Sequence, residues 1–355
     1  MQHTQTDDYL LLHLSLNRIT FLSCQEKKIL AKKLDSFNTL ALLSIEEILN
    51  FTGHPDTKRM QWNGVENLRM AQRALHYCRL LRVQIILNDD EEYPEILRQI
   101  SDPPYLLFCR GNKSLLTEPS VSIVGTRKLT QAGKTAAKSF AYDAAMNGVN
   151  VVSGLANGAD GFAHQGVIDA YFDMMEKNTG ADDMARLGKT IAVIPSGIDE
   201  ITPGNHRRLA AQILQCGGCI ISEYEPKLEM ANWHFVGRNR IIAGLSPATL
   251  VIEAPAGSGA LITADFAVEY DRDLFFHKSG FSQAAKLIAE NTQCQLEADF
   301  AAGKVSKYKL ENTVARYLKA GALVIADYND YCRALTEAPG ERSVGGNEPV
   351  QGELF

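Results

Sequence analysis

The feature that most restricts how this chain can fold is an alternation that begins near residue 120. Short, almost wholly apolar stretches (SVSIVGT, VNVVSGL, KTIAVIPSG, GCIISEY and ATLVIEAPAG) are separated by amphipathic helical stretches such as LTQAGKTAAKSFAYDAAMNG and DGFAHQGVIDAYFDMMEK. A strand that is apolar on both faces must be covered on both faces, and a helix between consecutive strands makes them parallel. The expected class is therefore α/β, a Rossmann-like, doubly wound, mostly parallel sheet. Two more strands, VQIILN and YLLFCRG, precede the alternation, with a Tyr93-Pro94 turn and a Pro103-Pro104 stop between them.

Upstream the pattern is helical. SCQEKKILAKKLDSF places Ile29, Leu30 and Leu34 at helical spacing, and Ser44 followed by Glu47 is a capping-box pattern. Residues 57–82 form another helical stretch. We expect a small all-helical domain over residues 1–85 and a Rossmann-like domain over 86–336. The Gly-, Pro- and Glu-rich residues 337–355 read as a disordered tail, and the polar stretch around 174–188 as a surface insertion.

The formal net charge of −6 argues against broad coating of duplex DNA but leaves room for a local basic groove. No run approaches the ~18 apolar residues of a membrane span, and the start lacks a secretory pattern, so a cytoplasmic location is expected. The seven cysteines are scattered, which does not suit a disulfide framework. Cys216 and Cys219 form a lone C-x-x-C, at most half of a structural zinc site, so no metal site is expected.

In a doubly wound sheet, ligands bind beyond the carboxyl ends of the strands. The residues expected there are Gly125, Thr126 and Arg127; Ser153, Gly154, Asn157 and Gly158; Asn205 and Arg207; Arg238, Asn239 and Arg240; and Gly257, Ser258, Gly259 and Thr263. Glycine turns leading into helix N-termini present free N–H groups to phosphate, and arginine forks bind its oxygens. For Arg238 and Arg240 the alternative is a salt bridge to Glu253, Glu223 or Asp160. Asp160 and His164, at i and i+4, can touch on one helix face; the preferred reading is a buried structural pair that holds the glycine turn. The Walker A and dinucleotide fingerprints both fail: Lys128 stands where the first Walker glycine belongs, and Ile262 where the third dinucleotide glycine belongs. No cofactor is expected.

SIVGTRK, SGLANGADGFAH, TIAVIPSGID, SEY, FVGRNRIIAGLS and VIEAPAGSGALITADFAVE occur in this order. Together they resemble the bacterial DNA-processing protein A family, also called DprA or Smf. The resemblance spans roughly residues 90–280. It implies a single-stranded DNA-binding recombination mediator that protects the strand and helps load RecA recombinase in DNA uptake and natural transformation. It also implies a homodimer and a binding protein rather than an enzyme. By position, Arg127 is the first DNA contact implied, followed by Asn205, Arg238, Asn239 and Arg240, with Phe162, Tyr224, Trp233 and Phe235 as nearby stacking surfaces. Thr202-Pro203 departs from the family's common Tyr-Pro. Gln351, Leu354 and Phe355 resemble the short peptide that docks on the bacterial sliding clamp. The alternative is a nucleotide-processing enzyme of the lysine-decarboxylase-like phosphoribohydrolase type, in which Gly257, Gly259 and Glu269 would align with a phosphate-binding turn and catalytic glutamate.

Overall fold

The computed structural model describes residues 6–55, 60–177 and 180–336. The first helices are α1 (Asp7–Asn17), α2 (Cys24–Lys33), α3 (Phe37–Leu42), α4 (Ile45–Thr52) and α5 (Gly64–Leu80). Their starts follow from local chemistry. Glu47 donates its N–H to the Ser44 hydroxyl at 3.2 Å while its carboxylate accepts from the Ser44 N–H at 2.8 Å, the reciprocal capping expected. Ser23 and Glu26 repeat the device at α2. Leu14 and Leu16 of α1 are fully buried, which makes α1 the centre of this group.

The remaining elements are β1 (Gln84–Leu87), α6 (Glu95–Arg98), β2 (Leu106–Gly111), β3 (Ser120–Val124), α7 (Gln131–Met146), β4 (Asn150–Ser153) and α8 (Ala159–Glu176). These lead to α9 (Ala181–Arg186), β5 (Thr190–Val193), α10 (Arg207–Gln215), β6 (Cys219–Ser222), α11 (Asn232–Gly244), β7 (Ala248–Val251) and α12 (Gly259–Glu269). The last are β8 (Asp273–His277), α13 (Gln283–Ala301), α14 (Lys307–Glu311), α15 (Val314–Lys319), β9 (Leu323–Ile325) and α16 (Tyr328–Thr336). One sheet holds all nine strands in the order β1-β2-β6-β5-β4-β3-β7-β8-β9. From β6 to β9 neighbours run parallel; β2 pairs antiparallel with β6 and β1 antiparallel with β2. The doubly wound, mostly parallel sheet is as expected. The strand order reverses between β3 and β7, which is where such sheets open a crevice.

Alternate residues of each strand feed the two faces. Val121 and Ile123 pack with α7 and α8, whereas Val124, Val152 and Val193 pack with α11 and α12. Ser122 replaces an apolar residue where α11 comes closest, and its hydroxyl donates to the Ile242 carbonyl at 2.6 Å. The N-terminal helices continue the apolar layer over Leu106, Phe108 and Ile220. His13 Nδ1 lies 2.6 Å from the Tyr105 hydroxyl, and Lys28 pairs with Asp89 at 2.6 Å.

Three features lay beyond the sequence reading. The stretch DLFFH forms the parallel strand β8, the chain then makes the nineteen-residue helix α13, and LVI adds the edge strand β9. The polar insertion contains a short exposed helix, α9, held at its end by buried Leu187. Among the described residues no helix is long and apolar enough to cross a membrane. The tail at 337–355, including Gln351, Leu354 and Phe355, lies outside the described residues.

Candidate nucleic-acid interface

The crevice at the strand-order reversal is built by two turns locked together. Thr126, after β3, donates its N–H to the Glu253 carbonyl, after β7, at 2.7 Å. The Ala159 N–H at the start of α8 donates to the Thr126 carbonyl at 3.2 Å. Gly158 makes that approach possible: its φ is +83°, and a Cβ there would lie 2.3 Å from the Thr126 oxygen. The Glu253 carboxylate takes the Thr130 hydroxyl at 2.5 Å and the Thr130 N–H at 2.9 Å, so it caps α7 rather than pairing with an arginine.

The predicted backbone cradle is largely occupied by the protein itself. The Asp160 carboxylate accepts from the Ala156 N–H at 3.2 Å and also engages Gly154 and Ser153. It sits where an incoming phosphate would, as the internal anion of the Ser153–Gly158 turn. The Ser153 hydroxyl donates to the Ile123 carbonyl at 2.6 Å. At the other turn, the Gly257 N–H goes to the Asn312 carbonyl at 2.9 Å and the Ser258 N–H to Pro255 at 3.2 Å. A Cβ at Gly257 would meet the Lys309 carbonyl at 2.7 Å, so this glycine serves the approach of α14. Thr263 is buried and its hydroxyl lies 3.5 Å from the Gly259 carbonyl.

Arg238 and Arg240 do not reach the rim as free cations. Arg238 is 5% exposed and donates to the carbonyls of Gly154 and Val193, the ends of β4 and β5, beside Asp160. Burial outweighs their attraction at both ends: it raises the Asp160 carboxyl and lowers the Arg238 guanidinium to about 10, leaving the arginine charged at neutral pH. Two residues on, Arg240 makes a bidentate pair with Glu223 at 2.6 and 2.8 Å and meets Asp102 at 3.0 Å. Burial alone would lower Arg240, but those carboxylates raise it above its ordinary value. The salt-bridge alternative holds for Arg240, with Glu223 as partner; Arg238 instead bonds to carbonyls, with the Asp160 charge nearby. The Asn239 amide is tied to the Gly259 carbonyl at 3.3 Å.

Asp160 and His164 bond elsewhere rather than to each other. His164 is fully buried, with Nδ1 2.6 Å from the Thr190 hydroxyl. That hydroxyl donates to Val151, so the imidazole carries its proton on Nδ1. Burial, with the nearby His206 and Arg238, lowers its pKa to about 3. A histidine lowered this way loses stability as pH falls from 6.5 towards 3. Between pH 6.5 and 5 its share is about 2 kcal/mol. In denaturant titrations His164→Asn, which keeps a donor for Thr190, is expected to remove about that much of the acid-induced loss. An unchanged pH profile would mean that His164 is charged or exposed.

What remains open is a rim of side chains. Arg127 is exposed, with its guanidinium carbon 5.7 Å from the Phe235 ring centroid. Lys134, the lysine of the Gly133-Lys134-Thr135 end of the failed Walker A pattern, lies 5.9 Å from the Phe162 ring centroid. Asn205 donates to Asn157 at 2.9 Å, and both are exposed beside exposed Arg207 and Arg208. No ion pair among the described residues involves Arg127, Lys128, Lys134, Arg207 or Arg208. Of the other aromatics, Tyr224 is buried against His234, ring centroids 3.9 Å apart, whereas Trp233 is 63% exposed.

The features of the other chemistries do not assemble. Glu269 sits at the far end of α12 from Gly259, where it accepts from the Ser101 hydroxyl at 2.9 Å. Cys216 and Cys219 are both buried. Burial pushes the Cys216 thiol up to about 11, while Cys219 is raised by its contact with Cys109 across β2 and β6 and by burial.

A family model described as DNA recombination-mediator protein A matches residues 84–302. Protein Smf of Borreliella burgdorferi is 28% identical over 268 residues, covering 76% of this chain and 79% of that protein. The match spans about half the length of some other curated relatives. The structure of DNA processing protein A from Streptococcus pneumoniae superposes with a TM-score of 0.63 at 26% identity, covering 91% of this chain and 96% of that one. That of Helicobacter pylori, which describes a single-stranded DNA binding mode, gives 0.52 at 25% identity over 72% and 95%. With the family model covering more than half of its residues and the same sheet beneath the motifs, the chain belongs to the DNA recombination-mediator protein A family, DprA or Smf.

Proposed function

We propose that this chain holds single-stranded DNA along the rim beyond β3, β4 and β5. The observation that carries the reading is the set of rim cations without acidic partners, two of them lying over aromatic rings: exposed Arg127 with Phe235, and half-buried Lys134 with Phe162. Phosphates take the cations while unpaired bases stack on rings, the combination that single strands require. Arg127, Lys134, Asn157, Asn205 and Arg207 are the contacts. Arg238, Asp160 and His164 support the turns from behind. The chain acts as a recombination mediator that helps load a RecA recombinase during DNA uptake. It works in the cytoplasm as a homodimer, without catalysis of its own. The helices through residue 85 and the sheet over 86–336 act as two units, and the clamp-like residues Gln351, Leu354 and Phe355 are a further contact.

The test is fluorescence polarisation of a labelled oligo-dT against duplex of equal length across a salt series. We expect preference for the single strand. Arg127→Ala is expected to weaken binding about tenfold or more, the worth of a charge-assisted phosphate contact, and to lower the salt slope by about 0.7. Absence of binding at low salt, or an affinity indifferent to Arg127→Ala, would overturn the assignment.

A further inference from the structure

One side chain on the rim keeps a ring nitrogen free. His206 ends the single turn Gly204–His206 before α10 and lies half-buried between exposed Asn205 and exposed Arg207. Its Nδ1 is 2.8 Å from the carbonyl of Leu155, just after β4. Leu155 is fully buried with φ of +58°, a backbone state that leucine rarely adopts, so this bond braces the turn and fixes the ring with it. A Cβ at Gly161, in the first turn of α8, would lie 3.0 Å from His206 Cε1 and 3.4 Å from Nε2. The missing side chain there lets the imidazole lie against α8.

A carbonyl can only accept, so Nδ1 carries the proton, and in the neutral ring Nε2 offers a lone pair. That nitrogen has no partner among the described residues and is open to solvent. The charged and titratable groups of the elements around it are Asp160 and His164 on α8, Arg238 on α11, and Arg207 and Arg208 at the start of α10. None can accept from a protonated Nε2. The Asp160 carboxylate is spent on the Ser153–Gly158 turn beside Arg238. His164, lowered to about 3, stays neutral and bonds Thr190. The three arginines oppose any further positive charge. The acceptor for an Nε2–H must therefore come from outside the chain, and it must be an anion to offset the arginines. On a rim that takes phosphates, a bare lone pair repels the phosphate oxygens, whereas the protonated ring gives them an N–H and a charge.

We propose that His206 is a proton-linked contact of the bound strand: as a phosphate arrives, Nε2 takes a proton from solvent and donates it in a hydrogen bond to a phosphate oxygen, while Nδ1 keeps the Leu155 carbonyl. This rests on the reading of the rim as the single-strand site. Histidine is the side chain whose charge ordinarily changes between pH 5 and 8. Because the bound state holds the extra proton, affinity rises as pH falls and is lost as pH rises, and by reciprocity the strand makes the ring easier to protonate.

The test is polarisation of the full chain with labelled oligo-dT from pH 6 to pH 8 at fixed ionic strength. Neither thymine nor the phosphodiester titrates in this range, so any slope belongs to the protein. Affinity is expected to fall about tenfold from pH 6 to pH 8, the worth of one charge-assisted contact. The salt slope is expected to be larger at pH 6 than at pH 8 by about 0.7, one further cation on the strand. His206→Asn keeps a donor where Nδ1 stands and has no second nitrogen to protonate. It is expected to bind as the unmodified chain does at pH 8 and to show no pH dependence. Calorimetric titration of the unmodified chain at pH 7 in two buffers of different ionisation enthalpy reads the proton directly and needs no variant to fold. Uptake of a proton, whole or fractional, is expected per bound chain. Zero uptake, or a pH dependence that persists in folded His206→Asn, would overturn the proposal. Oligo-dT binding that is weakened by Arg127→Ala but indifferent to pH sinks His206 alone. No binding at either end of the pH range sinks the rim as well.

Discussion

Arg238→Met is expected to lower the unfolding free energy by about 3–5 kcal/mol, the range for removing one partner of a buried charge pair. Two carbonyls, of Gly154 and Val193, lose their donor, and the buried Asp160 carboxylate loses the positive charge beside it. All three lie at the ends of β4 and β5, directly beneath the rim. Arg238→Lys is expected to fall short of rescue, because the shorter, more strongly hydrated ammonium must be buried at the point where Arg238 Nη1 reaches both carbonyls. Urea or guanidinium titration measures the loss, and a double-mutant cycle with Asp160→Asn isolates the coupling between the two charges. If Arg238→Met keeps wild-type stability and loses only oligo-dT binding, the arginine is a DNA contact after all and its buried position has been misjudged.

Gly158→Ala is expected to be the most damaging glycine substitution at the crevice. The backbone there, φ +83° and ψ −128°, is open to glycine and strained for any other residue. The added methyl would also lie 2.3 Å from the Thr126 oxygen and 2.7 Å from Arg127 Cα. Neither neighbour is a flexible side-chain end. The turn carrying Arg127 must move, or the start of α8 must let go of it. Strain and lost contact together come to about 3 kcal/mol or more, with oligo-dT binding impaired even in whatever fraction folds. Gly204→Ala is the comparison. Nothing lies within 4 Å of a Cβ at that position, so stability is expected to stay within about 0.5 kcal/mol. Equal effects from the two substitutions would show that the close approach at Gly158 does not matter.

The arginines show how much of the site could be read from residue types. Arg127, Arg238 and Arg240 all stand in motif segments, and all suit phosphate. The helix α11 separates the last two: positions two apart point to nearly opposite sides. Arg238 turns under the strand ends and Arg240 turns to Glu223. Asp160 and His164 lie four residues apart, a spacing that allows contact. The N–H groups of Gly154 and Ala156 are closer and unpaired by other means, so Asp160 turns to them. His164 reaches Thr190 on β5 instead. The Walker A pattern that ends in Lys134 fails, yet the first turns of α7 and α8 place this lysine over Phe162. The lost nucleotide motif said nothing about a lone cation above a ring.

What the order of residues established alone is what short-range physics decides. Runs apolar on both faces specify covered parallel strands, the helices between them specify the winding, and Ser44 with Glu47 specifies a helix start within three residues. Which charges stay free was decided only in three dimensions. Arg238 meets its carbonyls 84 and 45 residues away, and Arg18 meets Glu225 across 207. A cation's capacity to bind an incoming phosphate depends on whether a carboxylate or carbonyl has already claimed it. Those partners come from other strands and other helices, so their positions follow from the packing of the sheet and not from spacing along the chain.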